Sequence, residues 1–134
     1  MRQPRWPVWA VLCTLIAAAL ACSFNFSTAK IKSVKMVTDD SGKTETQAYG
    51  TADTFFCIVE LTNAPDDTKT KAVWTAVQVA GVEPNFSIGE YELESGSGVL
   101  TFQVSPQTDW PVGQYKVEIY LNGEKKETLE FEVR

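Results

Sequence analysis

Residues 113–133 read GQYKVEIYLNGEKKETLEFEV, and their pattern identifies the fold class. Apolar side chains alternate with polar ones on both sides of Asn122-Gly123, and a period of two residues is typical of a strand with one buried face. Asn-Gly favours a two-residue turn with positive φ at both positions, so the sequence predicts a β-hairpin. Such a ribbon is not stable alone in water and requires a second sheet over its apolar face. The apolar positions are Tyr115, Val117, Ile119, Leu121, Leu129, Phe131 and Val133.

The composition excludes several classes of protein. The chain has 134 residues, of which 44% are hydrophobic and 22% are charged, as expected for one globular domain. It contains no histidine, which is the commonest general base and metal ligand. The net charge of −5 argues against nucleic acid as a partner. Three cysteines are too few for a disulfide scaffold.

The first 22 residues predict export from the cytoplasm. Arg2 and Arg5 precede an uncharged apolar run that is marginal for a membrane-spanning helix and typical of a secretory signal helix. The run ends in Ala19-Leu20-Ala21-Cys22, which resembles the lipobox of bacterial lipoproteins, although leucine is usual where this chain has Ala19. The resemblance implies that Cys22 is lipidated and becomes the first residue. An ordinary cleaved signal with a free Cys22 and an uncleaved anchor are the alternatives.

The implied lipid anchor sets the predicted domain organisation. The signal peptide covers 1–21, a tether covers 22–29 and one domain covers 30–134. Stable anchoring takes two acyl chains, and the diacylglyceryl group of a lipoprotein supplies them. Loss of the signal removes two arginines and leaves ten basic against 17 acidic residues, a net charge of −7. We therefore expect a lipid-anchored protein of the cell membrane or outer membrane, with its domain outside the cytoplasm.

The remainder of the chain contains five further predicted strands. They cover 30–38, 55–61, 69–80, 90–94 and 99–104, with turn-rich connections and no helical period. Residues 81–89 predict an irregular segment. With the hairpin, the count is about seven short strands, which is typical of an antiparallel β-sandwich.

Three positions in this pattern resemble those of immunoglobulin-like domains. Cys57 lies centrally in the second predicted strand, Trp74 lies centrally in the third, and the run Gly113-Gln114-Tyr115-Lys116-Val117 resembles the Gly-x-Tyr-x-Cys pattern of the sixth. The resemblance implies a core built around Cys57, Trp74, Tyr115 and Val117, with the tyrosine hydroxyl bonded to backbone at a corner. Val117 stands where the second cysteine would be, so the resemblance implies no inter-sheet disulfide and a buried free thiol at Cys57.

No residue pattern indicates catalysis, and neither a metal nor another cofactor is expected. Cys57 has no histidine to activate it as a nucleophile. The acids of 90–94 would project to one side of a strand, where they attract cations or form a solvated edge that resists aggregation. Phe86, Trp110 and Tyr120 are the candidate binding residues, because exposed aromatic rings can anchor a partner. Trp110 can equally belong to a packed corner with Pro111.

These observations favour a membrane-anchored, non-catalytic binding module of the cell envelope that engages a protein or a glycan. The first alternative is an immunoglobulin-like protease inhibitor, in which the loops at 62–68, 81–89 and 105–112 form a wedge for an active-site cleft. The second alternative is an accessory subunit of an envelope enzyme or transporter.

Overall fold

The structure, a computed structural model, describes residues 27–134 of the chain. The predicted signal segment, and with it Cys22, lies outside the described residues. Within 27–134 there is no helix with the length and apolar character needed to cross a membrane.

Within residues 27–134, eight strands form two sheets that pack face to face. The smaller sheet has the order β1-β3-β6 and the larger has the order β2-β8-β7-β4-β5. Every pairing is antiparallel except the short parallel contact of β2 with β8. The predicted all-β sandwich is therefore confirmed, with one strand more than the sequence indicated. The strands are β1 (Lys30–Val37), β2 (Ala48–Tyr49), β3 (Phe55–Thr62), β4 (Thr68–Val79), β5 (Phe86–Ser95), β6 (Gly98–Val104), β7 (Gly113–Leu121) and β8 (Glu124–Val133).

The predicted hairpin is formed by β7 and β8. Leu121 pairs with Glu124, and the two residues between them, Asn122 and Gly123, have φ values of 50° and 83°. Positive φ at both positions is what a type I′ turn requires, and its twist matches that of the strands it joins.

Aromatic rings fill the space between the sheets. The ring of Phe55 lies at the centre, with its centroid 4.4 Å from that of Trp110, 4.7 Å from Phe131 and 6.1 Å from Trp74. Aromatic pairs at such separations add about 0.5–1.5 kcal/mol to the contribution of their buried area. The four residues assigned to the core from the sequence are all buried, and they are Cys57, Trp74, Tyr115 and Val117.

Two segments differ from the predictions. Residues 86–89 belong to β5 rather than to an irregular segment, because pairing with the twelve-residue β4 imposes an extended backbone despite Gly89. The short strand β2 was not predicted at all. Its Tyr49 is buried, and its hydroxyl donates a hydrogen bond to the carbonyl oxygen of Val37 over 2.7 Å. Because β2 lies beside β8 and this hydroxyl reaches β1, the flank of the sandwich between β1 and β8 is closed.

Candidate binding surface

The opposite flank, between β5 and β6, is open because five strands face only three. Thr70 and Ala72 of β4 are buried on the inner face of the larger sheet, and their partners on β5 are Leu93 and Tyr91. Directly opposed residues lie on the same face of a sheet. Tyr91 and Leu93 therefore belong to the inner face, yet they are 46% and 41% exposed. In the described structure β5, the last strand of the wider sheet, is therefore only partly covered.

The other face of β5 is acidic. Glu90, Glu92 and Glu94 alternate with the apolar residues and are all exposed. A carboxylate oxygen of Glu90 lies 3.9 Å from the Nζ of Lys71. Between Lys71 and Lys116 the sequence has five acidic residues and no lysine or arginine. The edge strands β5 and β6 thus contain no lysine or arginine, although Lys69 and Lys71 of the neighbouring β4 lie opposite Glu94 and Glu92 on the outer face.

At the end of this flank lies a pocket of about 180 Å³, which we call the apolar corner. It forms at the end of β4, where the loop 105–112 that precedes β7 lies against the inner face of β5. Phe86 stands at its rim and is 53% exposed. The lining residues are Ala76, Val79, Val82, Phe86, Ile88, Trp110, Pro111 and Tyr115.

Trp110 is held firmly in the apolar corner. Its backbone N–H donates to the Thr51 carbonyl and its indole Nε1–H donates to the Asp53 carbonyl, each over 2.7 Å. One face of the indole stacks on Phe55 at an interplanar angle of 12°. The Tyr115 hydroxyl donates to the Pro111 carbonyl, as in the corner that the immunoglobulin resemblance implies. Trp110 is therefore a packed corner residue that also lines a pocket.

The structure brings two of the three candidate aromatic residues together. Phe86 and Trp110 line the same pocket, whereas Tyr120 lies on the outer face of the larger sheet. There the Nζ of Lys71 sits 4.8 Å from the centroid of the Tyr120 ring, a cation–π contact. Tyr91 and Leu93 are the residues that the sequence reasoning missed. Their alternation with glutamate was the available signal.

Cys57, the nucleophile considered from the sequence, is inaccessible. Cys57 is buried, and burial raises the pKa of its thiol to about 12, so that the reactive thiolate is disfavoured. Within 27–134 no group of three or more cysteine, aspartate or glutamate residues is placed to hold a metal ion.

A larger groove of about 820 Å³ lies on the closed flank, between β1 and β8. Its lining contains no aromatic side chain among the residues that form it, which include Lys35, Glu45 and Glu130. Because aromatic anchors dominate the energetics of most interfaces, the open flank is the better candidate for binding.

The three loops assigned to an inhibitory wedge do not converge, which corrects that prediction. Loop 63–67 lies before β4, where the Ala64 N–H donates to the Ser97 hydroxyl over 2.9 Å. Loop 80–85 lies after β4, where the Ala80 N–H donates to the Val112 carbonyl over 3.1 Å. The twelve residues of β4 separate the two ends by about 35 Å at the usual strand rise. Only the loops at 81–85 and 105–112 share an end.

Comparison with known proteins identifies the fold. No protein-family model matches the sequence, and no curated protein matches it. An immunoglobulin-like protein from Pseudomonas aeruginosa superposes with a TM-score of 0.55 at 11% identity, over 81% of this chain and 98% of that one. A β-glucosidase from Listeria innocua gives 0.53 at 12% identity, over 82% of this chain and 17% of that one. The alkylpurine DNA glycosylase AlkC from Pseudomonas fluorescens gives 0.53 at 17% identity, over 81% of this chain and 31% of that one.

These likenesses concern the fold alone. The chain spans less than a fifth of the β-glucosidase and about a third of the glycosylase, so it resembles one part of each larger protein. The immunoglobulin-like protein, in contrast, is matched over nearly its whole length. The described part of the chain is thus an immunoglobulin-like antiparallel β-sandwich.

Proposed function

We propose that this protein is a lipid-anchored, non-catalytic binding module of the cell envelope. The observation that carries the binding role is the unequal width of the two sheets, which leaves Tyr91 and Leu93 partly exposed along β5, the strand that begins at the apolar corner. Support for the anchor comes from the lipobox-like run that ends at Cys22. The immunoglobulin-like fold is consistent with a domain that binds rather than catalyses.

The start of the described chain and the apolar corner lie at opposite ends of the sandwich. Ser27 accepts a hydrogen bond from the Asn122 side chain over 3.2 Å, and the Thr28 hydroxyl donates to the Asn63 carbonyl over 2.8 Å. Both contacts place the start of the described chain at the end where β4 begins. A lipid on Cys22, five positions before Ser27, would hold this end near the bilayer. The apolar corner would then face away from the membrane.

A protein is the partner we favour, and a glycan is the other class with which this surface is compatible. The rings of Phe86 and Trp110 offer apolar contact area, which both classes use. β5 and β6 contain no lysine or arginine and β5 carries three glutamates, which makes nucleic acid an unsuitable partner because phosphate binding depends on those cations.

One finding supports the accessory-subunit alternative. Folds similar to this chain occur as a small part of a larger enzyme, the Listeria innocua β-glucosidase. Under that alternative the protein would co-purify with an envelope enzyme and change its activity, whereas a simple binding module would leave the activity of its partner unchanged.

The anchor is tested by replacing the lipidated cysteine. In the Cys22→Ala variant, we expect loss of lipid labelling and release of the protein from the membrane fraction. The Cys57→Ala variant is the matched control, and it should remain lipidated and membrane-bound. Full retention of Cys22→Ala in the membrane would disprove lipid anchoring at this position.

The binding role is tested by cross-linking the anchored protein in its own envelope. We expect a specific adduct that is lost in a Phe86→Ser, Leu93→Ser double variant. Val99→Ser is the control, since Val99 is 63% exposed but lies opposite Glu60 on the outer face of the smaller sheet. An adduct that all three proteins form equally would remove the open flank as the binding surface.

A further inference from the structure

We propose that the free edge of β5 accepts an extended segment of a partner protein in which apolar residues alternate with lysine or arginine. The segment would add a sixth strand to the larger sheet. This inference rests on the proposed binding function and specifies the chemistry of the partner.

The edge of β5 is available for pairing. β5 is ten residues long and ends the strand order of its sheet, so within 27–134 it pairs only with β4. On an edge strand, the N–H and C=O groups of alternate residues point away from the sheet without a strand partner. An extended peptide can bind them through main-chain hydrogen bonds, which is the β-augmentation mode of recognition.

The two faces of β5 specify what the added strand must carry. On the inner face, the apolar side chains of the added strand would cover the exposed parts of the Tyr91 and Leu93 side chains. On the outer face, its cationic side chains would lie opposite Glu90, Glu92 and Glu94. Cross-strand neighbours of opposite charge are favourable, and both sets recur with the period of two that an extended strand has.

The same acids disfavour a second copy of this chain at the edge. Pairing of β5 with β5 would bring two sets of three glutamates together on one face, and directly opposed like charges are destabilising. Edge acids of this kind protect a sheet from self-association. A strand that carries lysine or arginine would instead be attracted to these glutamates. The same three residues would therefore disfavour pairing with a second copy of this chain and favour a cationic partner.

The test uses the full chain in a neutral detergent and labelled peptides of about ten residues. A peptide of alternating valine and lysine should bind at low salt and slow amide hydrogen exchange along β5. Two control peptides should show neither effect. One alternates valine with glutamate, and the other has the same valines and lysines grouped into two separate blocks. Replacing Glu90, Glu92 and Glu94 by glutamine should weaken binding about ten-fold, since three cross-strand charge pairs are lost.

The control variant replaces Glu124, Glu127 and Glu130 of β8 by glutamine. It changes the net charge equally and should bind the alternating peptide as the unmodified chain does. Equal binding of the block peptide, or equal weakening by both triple variants, would show unspecific charge attraction and overturn the proposal. Dimerisation of the β5 variant without peptide binding by the unmodified chain would show that the acids only prevent self-association. If the peptide fails while the Phe86-dependent adduct persists, this inference fails and the proposed function stands.

Discussion

Cys57 lies between the sheets with no exposed surface. Because its thiol is buried, we expect the stability of the fold to fall at alkaline pH. Burial raises the pKa of this thiol from an ordinary value of 9.0 to about 12. Between these two values the unfolded chain loses the thiol proton while the folded chain retains it. The unfolded state then binds fewer protons, so stability is full below pH 9 and falls as pH rises toward 12.

We expect this loss to depend on the thiol itself. Above pH 9, the free energy of unfolding should fall more steeply in the unmodified chain than in Cys57→Ala, by up to about 1.4 kcal/mol per pH unit. Urea unfolding from pH 8 to 11 measures both slopes. Burial also raises the pKa of Tyr49 to about 12. Because Tyr49 is present in both proteins, its contribution to the slope cancels in the comparison. Identical slopes would mean that the thiol is not buried in solution.

Two glycines of the terminal hairpin should differ in what they tolerate. At Gly123, with φ of 83°, an added Cβ would meet no atom within 4 Å. The only cost of alanine there is the strain of a positive φ. At Gly113, with φ of 149°, the Cβ would lie 2.3 Å from the Gln78 carbonyl oxygen and 2.7 Å from the Val79 Cα. We expect Gly123→Ala to lower the free energy of unfolding by about 1–2 kcal/mol. Gly113→Ala should cost clearly more.

Thermal or urea unfolding of the two variants provides the comparison. Equal losses would indicate that β7 and β4 do not approach as closely as the structure shows. A loss confined to Gly123→Ala would place the constraint in the turn alone.

Elements with a local signal could be predicted from the sequence, and elements that depend on a distant partner could not. The turn at Asn122-Gly123 and the alternation in β7 are local, so the hairpin was predicted. The register shift between Ile119 and Tyr120, which brings Val117 opposite Leu129, was not predicted. β2 has only two residues, and β8, which holds it in place, is more than 80 positions later. No local pattern can show such a pairing. β5 was found in part, because Gly89 and Ser87 resemble loop residues until β4 pairs with them.

The candidate surface was harder to predict than the fold for a related reason. The acids of β5 were recognised as one side of a strand, but the exposure of Tyr91 and Leu93 follows from the number of strands in each sheet. That number is a property of chain topology, which alternation does not reveal. The sequence identifies Phe86 and Trp110 as candidate binding residues, and only the structure shows that they share a pocket.

At the scale of the whole molecule, the anchored protein should stand with its apolar corner away from the bilayer. We expect a fluorophore on Lys126→Cys to be quenched by lipids that carry a headgroup quencher, and one on Gln107→Cys to be quenched much less. The two ends differ in height by about 35 Å along β4, which exceeds the range of contact quenching. Buried Cys57 should not take up the label.

The comparison is made in reconstituted vesicles with the lipidated chain. Equal quenching at the two positions would mean that the domain lies on the membrane. Stronger quenching at Gln107→Cys would invert the orientation and place the apolar corner against the bilayer.

Phe55 stacks on the indoles of both Trp74 and Trp110, with interplanar angles of 28° and 12°. Through Phe55, the fully buried Trp74 is linked to Trp110, which lines the apolar corner. We therefore expect a molecule that binds against Trp110 to change the ultraviolet fluorescence and the near-ultraviolet circular dichroism of the native domain. The protein carries its own optical reporter of occupancy, and ligand screening can proceed without a dye.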